Sequence, residues 1–275
     1  MHYKQSTWRV IEHPPAKGAW NMAVDEAILE SVYLGESQPT LRLYAWQPAC
    51  LSLGLAQPFE EVNIQTLAKR GWDVVRRPTG GRAILHVDEL TYAVIAPETE
   101  PRVAGGVLAS YLQLSKALLQ ALRMIGLHPE ANKKDPEKKA NKTNPVCFEV
   151  PSNYEITVNG RKLIGSAQAR RKEGVLQHGA LPLYGDLTRV IEALRFEDER
   201  TAERARERLI AHATTVEREL GTVPSFTEAV RAFTQAFQQT LNLQLQPGEL
   251  SPTEKQRADE LMEEKYAHPS WTERI

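Results

Sequence analysis

Arg76-Arg77-Pro78-Thr79-Gly80-Gly81, followed by His86, sets two guanidinium groups beside a Gly-Gly turn. Arginine forks and loop N–H groups suit a carbonyl, carboxylate or phosphate, and paired glycines let backbone approach a ligand that a Cβ would repel. Arg76, Arg77, Thr79, Gly80, Gly81 and His86 are therefore candidate substrate-binding residues. Cys147, in Asn144-Pro145-Val146-Cys147-Phe148-Glu149, sits where a polar loop meets a strand. A partly accessible thiol becomes a nucleophile where a cation favours its thiolate. Lys162, just past Asn159-Gly160, is the cation on offer. Cys147 and Lys162 form the candidate catalytic pair. The same residues also read as a small buried hydrophobe and a solvated hairpin lysine; Cys50, inside apolar Ala49-Cys50-Leu51, fits the first of these well.

Gly165-Ser166-Ala167-Gln168 continues the strand that carries Lys162. Small residues allow close approach, so Gly165, Ser166 and Ala167 join the candidate substrate wall. His178, in Gln177-His178-Gly179, and His86 each read as a substrate-orienting or proton-carrying imidazole, or as a hydrogen-bonded core histidine. Ser166 has no base partner in sequence, which weakens a serine-hydrolase reading. The chain carries no Walker-type loop, dinucleotide fingerprint or zinc-ligand spacing, and no cofactor or metal is expected.

Several elements must bring these groups together. Trp8 to Ile11 reads as a strand, and Asn21 to Leu29 as a helix stopped near Gly35. Leu41, Leu43 and Ala45 alternate with Arg42, Tyr44 and Trp46, which predicts a half-buried strand with Cys50–Gly54 as its hairpin partner. A short helix near Val62 to Arg70 leads to the strand Asp73-Val74-Val75, and a strand-like run follows the glycines. Glu89 to Ala96 predicts another strand and Gly106 to Ile125 a long helix. Pro129 to Pro145, with Lys133, Lys134, Lys138, Lys139 and Lys142, predicts a loop. Tyr154–Val158 and Arg161–Gly165 read as a hairpin about Asn159-Gly160, and Gly174 to Leu183 extends the sheet. The last third reads as helical, with capping boxes at Ser225–Glu228 and Ser251–Glu254, the second with Pro252 at the first helical position.

Interleaved strands and helices followed by helices predict an α/β (α+β) fold. Length fits one domain over residues 1–275, with a core at about 8–186 and a helical extension at about 187–275. Apolar residues make up 41% of the chain, enough for a sizeable core. A net charge of −1 argues against a general nucleic-acid binder. No apolar run reaches membrane-spanning length, and the N-terminus lacks a signal-peptide core. A cytoplasmic protein with reduced cysteines is the expectation.

Taken in order, Asn21-Met22-Ala23-Val24-Asp25-Glu26, Trp46-Gln47-Pro48, Ser52-Leu53-Gly54 with Gln57, Arg76 to Gly81 with His86, Gly160 to Gln168 and His178-Gly179 resemble the lipoate/biotin protein ligase and octanoyltransferase superfamily over roughly residues 8 to 185. That resemblance implies a mixed sheet flanked by helices. Its ATP-dependent ligases carry an Asn-Asp pair before the hairpin strand, which Cys147 to Asn153 lacks. One octanoyltransferase group places a cysteine three residues before His-Gly, where this chain has Val175. The LipM-type group carries Cys-Phe-Glu/Asp before the hairpin, as in Cys147-Phe148-Glu149. The resemblance to that group implies Cys147 as acyl carrier and Lys162 as the cation stabilising its thiolate. It also implies octanoyl-acyl carrier protein as donor, a lipoyl-domain protein such as the glycine-cleavage H protein as acceptor, and no ATP requirement. Within the superfamily the alternatives are an ATP-dependent lipoate ligase and a non-catalytic binder of acyl groups or lipoyl domains. The lysine-rich loop reads either as a steering surface for acidic partners or as a solvated loop.

Overall fold

The computed structural model describes residues 3–133, 154–172 and 174–275. Eight of the described strands form one mixed sheet in the order β11-β1-β2-β6-β10-β9-β8-β7. These are β1 (Ser6–Glu12), β2 (Thr40–Tyr44), β6 (Glu89–Pro97), β7 (Glu130–Lys133), β8 (Tyr154–Val158), β9 (Arg161–Arg171), β10 (Gly174–Pro182) and β11 (Leu243–Pro247). β11, β1 and β2 run parallel; the pairings from β2 to β7 are antiparallel. A second small sheet, β4-β3-β5, is built from β3 (Cys50–Leu53), β4 (Asp73–Arg76) and β5 (Ile84–His86).

Helices cover both faces of the large sheet. On one, α3 (Val107–Ile125) and α7 (Phe226–Leu241) bury Leu114, Leu118, Phe233 and Phe237 against Leu41, Leu43, Tyr92 and Val94. On the other, α1 (Gly18–Tyr33) and α8 (Pro252–Leu261) pack Met22, Ile28 and Leu261 against Tyr44, Ala93, Ile95 and Leu176. Leu51, Leu53 and Leu85 of the small sheet pack with α2 (Ile64–Arg70), α4 (Arg189–Glu192) and α5 (Glu199–His212). The expected mixed α/β architecture is met, and both capping boxes form, at Ser225 and Ser251. Asn159 and Gly160 both take positive φ, as the hairpin requires.

Four local expectations are corrected. Cys50–Leu53 does not pair with β2; it leaves for the second sheet, where β4 and β5 flank it. β2 is buried along its whole length rather than half-buried, because α1 covers the face that carries Arg42 and Tyr44. Glu130–Lys133, inside the expected lysine-rich loop, is a strand paired with β8; Lys134, Lys138, Lys139 and Lys142 lie outside the described residues. In the expected helical last third, Leu243–Pro247 adds a strand beside β1, burying Leu243 and Leu245 while its polar residues face out.

Candidate active site

The two sheets meet at a narrow, partly enclosed crevice. The small sheet and its loop supply Ser52, Arg77, Gly81, Ile84 and His86. The large sheet supplies Thr91 of β6, Gly165, Ser166 and Ala167 of β9, and His178, Gly179 and Ala180 of β10; Met22, Tyr44 and Trp46 complete the lining. Close backbone approach makes this junction possible. A Cβ on Gly54 would run into the Gly81 carbonyl, and Gly81 itself has φ +96°. An open groove near α2, α4 and α5 shares no lining residue with the crevice.

A hydroxyl–imidazole–carboxylate chain stands on each side. In the first, Thr79 Oγ1 lies 2.7 Å from His178 Nε2, and His178 Nδ1 lies 3.4 Å from Asp25 Oδ2. Asp25 also accepts from Arg42 at 2.7 Å and from Tyr44 at 3.0 Å. Asp25 and Arg42 are both fully buried. Burial works to raise the Asp25 pKa, but Arg42 and the bond from His178 outweigh it and hold the carboxyl below its ordinary value. Burial lowers the His178 pKa against the opposing pull of Asp25, so the ring is neutral at pH 7. A carboxylate only accepts, so His178 presents Nδ1–H to Asp25 and takes the Thr79 hydroxyl proton at Nε2.

In the second chain, Ser52 Oγ lies 2.7 Å from His86 Nε2 and His86 Nδ1 lies 2.7 Å from Glu89. Thr91 donates to the same Glu89 oxygen, and Trp46 Nε1 donates to Thr91 at 2.8 Å. The Trp46 ring stacks on His86 at 4.0 Å. Its polar atoms are paired with one another and with Arg77, which donates to Ser52 Oγ at 3.1 Å, leaving ring faces and small apolar groups to the crevice. Such a lining suits an alkyl chain.

The structure places the predicted residues unequally. Arg77, Gly81, His86, Gly165, Ser166, Ala167 and His178 line the crevice; Arg76, Thr79, Gly80 and Lys162 do not. Arg76 turns away: its buried guanidinium donates to the carbonyls of Gly54, Leu55, Gln57 and Thr272, bracing the loop and the C-terminal segment. Arg77 lines the crevice while donating to carbonyls of Ser52, Gly80 and Arg82. Thr79 acts on the lining through His178. Lys162 is buried on β9, about 10 Å along the strand from Gly165 at roughly 3.3 Å per residue. Its Nζ lies 3.4 Å from Glu155. Cys147 lies outside the described residues. Cys50 is fully buried, and burial pushes its pKa well up.

Trp46, Tyr44, Asp25 and Glu89 were not anticipated as site residues. Asp25 had a signal: at helical spacing it falls on the face of Met22, Ile28 and Leu29, unlike its neighbour Glu26, and a carboxylate on an apolar face needs a buried partner. Glu89, three residues after His86 and two before Thr91, had a weaker one.

Comparison with known proteins agrees with the geometry. The chain is 40% identical to an octanoyltransferase LipM from Kyrpidia tusciae, over 98% of this chain and 99% of the relative. It is 37% identical to octanoyltransferase LipM from Bacillus subtilis, over 98% of each. Among solved structures, a bi-partite lipoate protein ligase from Thermoplasma acidophilum superposes with TM-score 0.79 at 24% identity, covering 97% of this chain and 96% of that one. A lipoate-protein ligase A bound with ATP gives TM-score 0.78 at 24% identity, over 98% and 99%. Those two likenesses show the fold. The expected resemblance to enzymes of the LipM-type group is met by the sequence relatives. The model of the lipoyl protein ligase A/B catalytic domain matches residues 17–238, and the chain belongs to that family.

Proposed function

We propose that the chain is an octanoyltransferase of lipoate biosynthesis. It carries octanoyl from octanoyl-acyl carrier protein, through a thioester on Cys147, to one lysine of a lipoyl-domain protein such as the glycine-cleavage H protein. The observation that carries this reading is near-full-length similarity, at 40% and 37% identity, to relatives named octanoyltransferases. The crevice supports it, since Trp46, Ile84, Met22 and Ala167 offer apolar surface to an acyl tail. Each buried CH₂ contributes about 0.8 kcal/mol to such binding.

The Cys147 thiolate attacks the donor's carbonyl carbon, and the carrier's thiolate leaves as the enzyme thioester forms. The acceptor amine then attacks that thioester. The amide forms, the amine's proton is released, and the Cys147 thiolate is regenerated. Thioester exchange is nearly neutral and amide formation is downhill, so ATP has no step to drive. Lys162 stabilises the thiolate, and N–H groups of Gly81 or Ala167, which line the crevice, hold the oxyanion, a contribution of about 3 kcal/mol per well-aimed donor.

Intact mass spectrometry after incubation with octanoyl-acyl carrier protein tests the reading. One octanoyl increment is expected, labile to hydroxylamine and absent in Cys147→Ser. Active wild type without an adduct, or acceptor modification that requires ATP and survives Cys147→Ser, overturns it in favour of a ligase.

A further inference from the structure

Arg76 is fully buried, and main-chain carbonyls hold its guanidinium from two sides. Nη1 donates to Gly54 at 3.0 Å and to Gln57 at 2.6 Å, in the loop after β3. Nε and Nη2 donate to the Thr272 carbonyl, at 3.0 and 2.8 Å. The contact is reciprocal: β4 is an edge strand, and the Arg76 carbonyl that ends it accepts from Trp271 Nε1 at 2.8 Å. The braced loop also supports the crevice wall. Leu55 N donates to the Thr79 carbonyl at 2.8 Å, and Gly54 lies against the Gly81 carbonyl with no room for a Cβ. Trp271 is held in turn. Its ring carries two cations, the Arg274 guanidinium at 4.0 Å and the Lys265 ammonium at 4.2 Å, both within cation–π range. Arg274 donates to the Leu55 carbonyl at 3.1 Å. Lys265 and Tyr266 lie on a π-helical turn over Met262–Tyr266, and both donate to Glu26 of α1. Turns of this kind are rare and are frequent at functional sites. Glu26 also lies 3.8 Å from Arg171 of β9, which donates to the Pro78 carbonyl at 3.4 Å. The segment from Met262 to Arg274 thus reaches the Arg76–Gly81 turn from two directions, and none of its residues lines the crevice.

We propose that Trp271 is a positioning residue for the crevice. With the Thr272 carbonyl it fixes Arg76 from behind, and Arg76 fixes the Gly54–Gln57 loop on which the Gly81 wall stands. A binding wall is only as fixed as the hydrogen bonds behind it. Trp271 touches no crevice ligand and acts through Arg76. The identity of that ligand as an octanoyl donor rests on the reading above; the bracing of the wall does not.

Trp271→Phe tests this, because it keeps an aromatic ring beside the two cations and removes the N–H that meets the Arg76 carbonyl. Hydrogen exchange read by mass spectrometry follows the wall directly. In Trp271→Phe, segments 53–57 and 77–82 are expected to exchange at least fivefold faster, with β1 and β6 as in wild type. The half-saturating concentration of octanoyl-acyl carrier protein should rise at least threefold, while kcat falls less than twofold. Ser225→Ala is the stability control: it removes the N-cap of α7, lowers the melting temperature, and should leave both readouts as in wild type. Wild-type exchange in 77–82 of Trp271→Phe, an unchanged donor half-saturation, or an equal rise of both readouts in Ser225→Ala overturns the proposal. Wild type that transfers no octanoyl overturns the reading of the ligand instead, and exchange alone then decides the positioning role. Should Trp271→Phe fail to fold, Arg274→Ala, which removes one cation from the ring and the bond to Leu55, takes its place with the same two readouts.

Discussion

The two imidazole chains beside the crevice share a plan and differ in what ends them. The His178 chain ends in an ion pair, Asp25–Arg42, with both partners fully buried. Arg42 extends it further, donating to Asn21 and, at 2.8 Å, to His13 Nδ1. The His86 chain ends in Glu89, whose further donor is the neutral hydroxyl of Thr91. One side of the crevice is therefore held by charge in a dry core, and the other by hydrogen bonds and a stacked tryptophan. The carboxylates have different work: Asp25 neutralises a guanidinium, whereas Glu89 orients a ring.

The largest separation is expected from removing each carboxylate. Asp25→Ala strands the Arg42 charge among buried groups, and breaking a buried pair in this way costs about 3–5 kcal/mol. Glu89→Ala leaves His86 and Thr91 donors without an acceptor, a loss of about 1–3 kcal/mol. Chemical denaturation of the two variants checks the ordering, and equal losses would erase the distinction. Restoring neutrality sharpens it: Asp25→Asn with Arg42→Met should recover part of the Asp25→Ala loss, because no lone charge remains.

Acid divides the two sides by a smaller amount. Burial, then Arg42, lowers the His13 pKa from 6.5 to about 4, and burial lowers that of His178. Unfolding releases both rings to their ordinary value, so between pH 6.5 and 4 the unfolded chain binds more protons than the folded one. Stability therefore falls as pH falls through this window. His13 alone supplies a ceiling of about 2 kcal/mol between pH 6.5 and 5, reduced to about 1 kcal/mol by its partial exposure. Urea unfolding at pH 7.5 and pH 5 should show the loss, and His13→Gln should shrink it. An undiminished loss in that variant would place the acid-sensitive group elsewhere.

These chains also mark where sequence reading reached its range. Elements specified within a few residues were legible: the Asn159-Gly160 turn, the Ser225 and Ser251 capping boxes, and the alternation that made Leu41 and Leu43 a strand. Partners set by tertiary packing were not. Leu51 and Leu53 look equally able to pair with β2 or to leave it, and hydrophobicity alone does not choose. Leu243–Pro247 is short and follows a long helix, so its place beside β1 depends on a sheet edge more than 230 positions earlier. Arg76 and Arg77 are adjacent and chemically alike. Arg76 ends β4 and Arg77, just past it, keeps the extended pairing through its N–H to the Leu53 carbonyl at 3.0 Å, so the two side chains go to opposite sides, one to the Thr272 carbonyl and one to the crevice, and only the second could meet a substrate. The candidate wall was legible as a set of motifs; which members face inward was a matter of strand parity.

The smallest expected effect concerns the hydroxyls at the near ends of the two chains. Thr79 bonds His178, and its carbonyl accepts from Leu55 N at 2.8 Å, so the residue ties the Gly80–Gly81 loop to both β10 and the loop after β3. Ser52 sits inside a strand, where pairing with β5 already fixes its backbone. Removing the Thr79 hydroxyl forfeits one hydrogen bond, about 1 kcal/mol of stability; removing that of Ser52 forfeits two, the bond with His86 and the one from Arg77 at 3.1 Å, although Arg77 keeps its carbonyl acceptors. Function should rank the two in the opposite order. Thr79→Val keeps the shape but frees the loop from His178, so the Gly81 wall loosens and half-saturation by the acyl donor should rise several-fold. Ser52→Ala leaves its strand in register and Arg77 still donating to the Ser52 carbonyl at 3.0 Å, so donor affinity should change less than twofold. Steady-state kinetics with octanoyl-acyl carrier protein checks the pair. A larger donor effect in Ser52→Ala than in Thr79→Val would show that the crevice takes its shape from the small sheet and not from the loop anchored by His178.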